Sequence, residues 1–227
     1  MKQKMGFTLE EACEKVSMPL IAQTILIKEC YDQPHRHYHN TDHLREMLKH
    51  VPQKHSEVEI IIEATLFHDI VYFPHPTAPG LNEALSIAEY LSYNTKAMAV
   101  NTPFGKNDSS FEYERRVIEA INATAHHLEE QQHLGEVSKL VLDLDLATFT
   151  LPWEEYSIWA AKVEKENLEI YKDKYSPYEI KKGRNDFLQT LLHRKQLYYL
   201  KTEWEVQARA NIQNDMDNYI QTFLNNL

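Results

Sequence analysis

The chain has 227 residues, of which 43% are hydrophobic and 26% are charged, and its formal net charge is −10. A chain of this length can bury a stabilising core without disulfides. The negative charge argues against a nucleic-acid polymer as partner, because binding to a phosphate backbone requires a positive face. Only five glycines and nine prolines are present, which disfavours a β-sandwich and predicts an all-α protein.

Helical periodicity predicts the elements in chain order. An opening helix is expected over 8–30, where Thr8 caps the N-terminus and Glu11 completes a capping box. A polar, histidine-rich loop follows at 33–40, and the next helix runs to about His50. Further helices are expected at about 58–70, 81–98, 109–128, 134–147, 153–171, 177–199 and 202–225.

No segment resembles an interdomain linker. We therefore expect a single compact multi-helix domain over 1–227, with a core at about 36–147 and C-terminal helices at about 153–225 packed on it. The charge run 162–174 is interpreted as a solvated helix face rather than a binding patch.

Cys13 and Cys30 lie on one apolar segment without metal-type spacing, which favours free thiols in a reducing cytoplasm. The best apolar run, 18–27, is too short to span a bilayer. The sequence thus predicts a cytoplasmic protein without a membrane partner.

The clearest chemical feature is the pair His68–Asp69 at the end of the apolar run that begins at Val58. Ionisable side chains are costly to bury unless they are paired or bind a metal. Taken alone, the pair also fits a histidine that caps the helix C-terminus beside an aspartate bonded to loop amides.

Other histidines and aspartates occur in similar settings. His39 and His43 lie four residues apart at a helix start, and Asp143 and Asp145 lie within another apolar helix. Helical periodicity does not decide which of the two, Asp143 or Asp145, is the ligand. Imidazole and carboxylate ligands together suit Mn, Fe, Co, Ni or Zn better than Ca.

The order His43, His68–Asp69, Asp145 resembles the HD superfamily of metal-dependent phosphohydrolases. The segment Tyr-His-Asn-Thr-Asp-His at 38–43 also resembles the opening motif of cyclic-nucleotide phosphodiesterases. The closest likeness is to a bacterial family of predicted HD phosphohydrolases of unassigned substrate. Its features recur as Arg-His-Tyr-His-Asn at 36–40, Phe-His-Asp-Ile-Val-Tyr at 67–72, Asn-Glu at 82–83, Ala-Thr-Ala-His-His at 123–127, Leu-Asp-Leu-Asp-Leu at 142–146 and Gly-Arg at 183–184.

This resemblance implies an HD-type helical fold and a role for each matching residue. It implies metal ligation by four side chains, namely His43, His68, Asp69 and Asp145. His39 is then the expected general acid, because the phosphodiesterase motif ligates with its second histidine; a ligand role for His39 is the alternative. Arg36 and Arg184 are expected to pair with phosphate oxygens, and a salt bridge is the alternative for each.

Some relatives hold two metals and recruit further histidines. His126 and His127 are the candidates for a second ion or for the pocket, although both also fit capping of a helix C-terminus. Glu83 lies where two-metal diadenosine-tetraphosphate hydrolases have a histidine, and this departure weakens the case for a second ion.

The implied function is hydrolysis of a phosphoester in a nucleotide or another small phosphorylated metabolite, by a water that one or two divalent metals activate. Two alternatives stay open. One is a di-iron HD-fold oxygenase that uses His126 or His127, and Glu83, as further ligands. The other is a non-catalytic nucleotide-binding module that keeps the metal for stability.

Overall fold

A computed structural model describes residues 6–73, 78–101 and 108–224. Within these ranges the chain forms ten α-helices and no strand, which confirms the predicted all-α class. The helices are α1 Leu9–Lys15, α2 Leu20–Ile25, α3 Thr41–Lys49, α4 Val58–Phe67, α5 Leu81–Asn101, α6 Asp108–Thr124, α7 Glu136–Asp145, α8 Trp153–Tyr171, α9 Pro177–His193 and α10 Glu205–Leu224. None of the described helices has the length and apolar character needed to cross a bilayer.

The single opening helix predicted over 8–30 is wrong. The capping box of Thr8 and Glu11 is present, but α1 ends at Lys15. Ser17 then adopts a φ of 54°, and Pro19 cannot donate a backbone hydrogen bond to a preceding turn. α2 begins after Pro19 and continues into a π-helical turn, Leu26–Tyr31.

The core is built around α4, which contacts α3, α5, α6 and α7. Apolar side chains occupy nearly every face of this helix, as its sequence predicts, so most of its residues are buried. A second apolar cluster joins Leu146 to α9 and α10, and Trp204 packs against both clusters. The C-terminal end of α4 therefore lies among other elements, where a polar side chain meets little water.

The helix predicted over 177–199 ends earlier, at His193. Arg194 is already extended, with a ψ of 143°, and further along the chain the buried carboxylate of Asp143 accepts the backbone N–H groups of residues 199–201 at 2.7, 2.7 and 2.8 Å. A continuing helix would need those N–H groups for its own carbonyls. The non-helical stretch after α9 is thus bonded to the side chain of Asp143 on α7.

Glu63 is a half-buried carboxyl group on the central helix α4. Tyr90 donates a 3.0 Å hydrogen bond to Glu63 from α5, and Tyr113 faces Glu63 from α6. Burial raises the pKa of Glu63 from 4.5 to about 7, and the negative charge of Glu59 adds to that effect while the two tyrosine hydroxyls oppose it. The folded protein thus binds a proton that the unfolded chain has already released between pH 4.5 and 7.

We expect the free energy of unfolding to fall as pH rises through this window, because the native state binds more protons there than the unfolded state. Glu63→Gln removes this loss. The variant should gain about 2 kcal/mol relative to wild type between pH 5 and pH 8, as measured by urea unfolding. Glu112→Gln, which removes an exposed carboxyl hydrogen-bonded to Arg115, should not reproduce the gain; an equal gain would contradict the assignment.

Candidate metal centre

His68 is oriented by its own helix. It follows α4 directly, and its backbone N–H donates to the carbonyl of Ala64 at 2.9 Å. Its Nδ1 lies 2.8 Å from the carbonyl oxygen of Thr65. Because a carbonyl only accepts, Nδ1 carries the hydrogen, and a neutral ring then presents a lone pair at Nε2.

That Nε2 atom is buried and makes no hydrogen bond to a described residue. It lies 3.1 Å from Oδ2 of Asp69 and 3.6 Å from Oδ1 of Asp145. A lone pair that faces two carboxylates is unfavourable unless a cation, either a proton or a metal ion, lies between them. The surroundings of His68 therefore require a positive charge.

His43 reaches the same place from α3. Asn40 caps this helix by accepting the N–H of Asp42 at 2.9 Å, and His43 lies on its buried face. His43 Nε2 is 2.8 Å from Oδ1 of Asp145, and the rings of His43 and His68 are 5.5 Å apart. Three elements thus direct imidazole and carboxylate groups to one point.

The donor set fits a divalent transition metal. One ligand atom each from His43, His68 and Asp69 lies within 4.8 Å of the other two, so this group could hold a metal ion. Two ligands that are each about 2.1 Å from one ion are separated by roughly 3.0–3.4 Å. The observed separations lie close to that range. They are 2.8 Å from His43 Nε2 to Asp145 Oδ1, 3.1 Å from His68 Nε2 to Asp69 Oδ2, and 3.6 Å from His68 Nε2 to Asp145 Oδ1.

The electrostatics keep the carboxylates charged. Burial raises the pKa values of Asp69 and Asp145, but the neighbouring imidazoles together outweigh burial and lower both below the usual aspartate range; His68 and His39 act on Asp69, and His68, His127 and His43 act on Asp145. Burial likewise lowers the pKa of His68, and the two carboxylates more than reverse that effect. The cluster is thus arranged around positive charge at His68.

The structure separates the two aspartates of α7. Asp145 lies among the histidines, with His127 Nε2 2.6 Å from its second oxygen. Asp143 instead holds residues 199–201, as described above, so the alternative in which Asp143 serves the site is not supported. Two positions along a helix point about 200° apart, which places the two carboxylates on different sides of α7.

His39 forms a pair that the sequence did not reveal. Its Nδ1 makes a short hydrogen bond to Oε1 of Glu166, which lies on α8 and is buried. The other oxygen of Glu166 accepts the backbone N–H groups of Tyr38 and His39 at 2.7 and 3.1 Å. Tyr72 donates to Glu166 at 3.0 Å and stacks on the His39 ring at 4.5 Å.

Glu166 is a buried exception within the run 162–174, whose other charged residues are exposed or half-buried. Burial raises the pKa of Glu166, yet His39 and the two backbone N–H groups lower it to about 2. Burial in turn lowers the pKa of His39, whereas the charge of Glu166 raises it overall. The pair therefore favours an imidazolium at His39 beside the metal-binding group, with its ring 6.1 Å from that of His43.

The contacts of Arg36 do not support its predicted role as a phosphate ligand. Its guanidinium donates to the carbonyls of Asp69 at 2.6 Å, Ile70 at 3.0 Å and His39 at 3.2 Å, and to the side chain of Gln33 at 3.0 Å. Four of its five N–H donors are therefore engaged in the protein interior. Arg36 fixes the backbone at both ends of the site.

The remaining predicted residues divide between site and surface. His127 contacts Asp145, but His126 is exposed and lies 2.9 Å from Glu129, because consecutive residues after α6 point in different directions. Glu83 lies in the first turn of α5, and no described contact joins it to the cluster. The candidate ligands for a second ion thus do not converge.

A cavity of about 780 Å³ adjoins the site. His39, His127 and Asp145 form part of its lining, and most of the remainder comes from α8 and α9. Arg184 also lines it, but its Nη2 donates to Asp215 at 2.6 Å, in agreement with the salt-bridge alternative. The cluster is therefore accessible from one side to a small molecule.

Comparison with protein-family models gives no match for this chain, and comparison with curated proteins gives no match either. The chemistry of the site rests on the geometry of its own side chains.

Proposed function

We propose that the chain is a metal-dependent phosphohydrolase that acts on a nucleotide or another small phosphorylated metabolite. The observation that carries the proposal is the group of His43, His68 and Asp69, which could hold a metal ion, with the carboxylate of Asp145 against both histidines at the wall of a cavity. The His39–Glu166 pair lies beside this group. His43, His68, Asp69 and Asp145 would hold the ion. A divalent ion held there would lower the pKa of a bound water and polarise a phosphoryl oxygen.

The chain supplies the proton for the leaving group. His39 Nδ1 is engaged with Glu166, so the imidazolium holds its other proton at Nε2, on the opposite edge of the ring. This proton is delivered to the leaving oxygen as the ester bond breaks. Glu166 and Tyr72 are positioning residues, since they hold the ring from its Nδ1 edge and its face.

In this proposal Arg36 makes the site rigid and does not bind the phosphate of the substrate. Its bonds to the carbonyls of Asp69 and His39 tie the two loops that carry a proposed ligand and the proposed acid. Holding reactive groups at a fixed separation is itself a source of rate enhancement. For the oxygenase alternative, the positions of His126 and Glu83 provide no additional support.

The test combines metal analysis with an activity panel. Protein purified without added metal should contain about one equivalent of Mn, Fe, Co, Ni or Zn. It should hydrolyse at least one substrate among phosphomonoesters, cyclic nucleotides and dinucleoside polyphosphates, lose that activity to a chelator, and regain it with added metal. Absence of turnover across the panel in metal-loaded protein would refute the proposal, as would turnover that a chelator leaves unchanged.

A further inference from the structure

The cavity beside the metal centre has a volume of about 780 Å³, which is in the range of pockets that enclose a whole small molecule. Because His39, His127 and Asp145 belong both to its lining and to the proposed site, a substrate held at that site extends into it. The chemistry of the remaining lining therefore selects the body of the substrate.

Most of that lining is apolar, and much of it is aromatic. Phe149 follows α7, Tyr171 and Tyr175 lie at the end of α8 and just after it, and Phe187 lies on α9. Tyr175 and Phe187 are partly exposed even though they belong to the cavity. Aromatic faces of this kind bind planar rings by stacking, with a contribution beyond that of area burial.

Positive charge is scarce in the same lining. Among the described residues that line the cavity away from the metal-binding group, Arg184 is the one lysine or arginine, and its guanidinium already forms a 2.6 Å ion pair with Asp215. Tyr156 donates to the same oxygen of Asp215 at 2.6 Å, which holds this pair in place. Glu179 adds an acidic side chain to the lining. A chain of phosphates extending into this cavity would have few cations to neutralise it.

We infer that the site takes a phosphomonoester whose body is a planar aromatic ring system, in preference to a polyphosphate or a small aliphatic ester. This inference rests on the proposed function, since the metal centre supplies the place for the phosphate. The ring system occupies the space between α8 and α9, and the single phosphate lies toward His39 and Asp145.

The experiment measures binding with non-hydrolysable probes, so that leaving-group reactivity does not enter. Calorimetry with Mn²⁺-loaded protein compares naphthalen-1-ylmethylphosphonate with methylphosphonate. The aromatic probe should bind at least about tenfold more tightly. Phe187→Ala should reduce the ratio of the two affinities about fivefold. Tyr178→Ala, an exposed aromatic on the same helix but outside the lining, serves as the matched control and should leave it unchanged.

Equal affinity for the two phosphonates would overturn the inference, as would tighter binding of tripolyphosphate at saturating metal. If phosphomonoesters are nevertheless hydrolysed, the proposed function survives that outcome. The opposite combination is also informative. If the protein binds the aromatic phosphonate more tightly, through Phe187, but hydrolyses no phosphoester, the assignment of the cavity is supported and the proposed function is refuted.

Discussion

His68→Ala is expected to lose stoichiometric metal and, with it, hydrolysis above the level of chelator-treated wild type. The Nε2 atom of His68 is the buried nitrogen that faces both carboxylates of the cluster. Loss of a partner that only orients a ligand costs about 10–100-fold in metal affinity, so loss of a ligand should cost more than about 100-fold. Elemental analysis and metal titration provide the measurement.

The chain offers a matched control in His126→Ala, because this histidine is exposed and the one described contact of its side chain is with Glu129. It should retain metal and activity. Asp145→Asn keeps the shape of the side chain and should also lose metal, which separates ligation from packing in case alanine at position 68 impairs folding. Full metal content in folded His68→Ala and Asp145→Asn would remove the metal centre from the proposal.

Glu166→Gln is expected to lower kcat by about 10²–10³-fold while leaving metal content unchanged, because general acids contribute roughly 10²–10⁴-fold. The amide would donate to Nδ1 of His39, where the carboxylate now accepts, so the ring would be neutral. His39→Ala should cause a similar loss. The double variant should be little worse than either single variant, since the two residues act as a unit.

The pH profile distinguishes this role from a structural one. An acid must be protonated to act, so activity falls as pH rises through the pKa of His39. The charge of Glu166 raises that pKa against the effect of burial, so Glu166→Gln should move the alkaline limb to lower pH. Glu169→Gln, one helical turn along α8 and bonded to His37, should not. An unshifted limb in Glu166→Gln would contradict the pairing.

Local patterns in the sequence predicted the metal centre better than they predicted its surroundings. His68–Asp69 stands out because an ionisable pair ends an apolar helix, and that signal lies within a few residues. The choice of Asp145 over Asp143 came only from a resemblance. In the structure, Asp143 is engaged by the backbone N–H groups of 199–201, which no local pattern connects to α7, whereas Asp145 lies against the histidines.

Long-range contacts explain what the sequence did not reveal. Glu166 lies within a run of charged residues and meets His39 across 127 positions of the chain, so its burial had no local signature. Arg36 was predicted to bind phosphate because it lies in a histidine-rich loop. Its actual partners are carbonyls 33 and 34 residues away, and carbonyl oxygens are invisible in a side-chain pattern.

Asp143 also connects the C-terminal part of the chain to the helix that carries Asp145. Its carboxylate is satisfied by the 199–201 backbone, and two positions later α7 presents Asp145 to the histidines. A chain shortened before residue 199 would lose the three N–H donors of this buried carboxylate, whose pKa burial already raises. The C-terminal segment therefore stabilises the helix that presents Asp145, although it supplies none of the four proposed ligands.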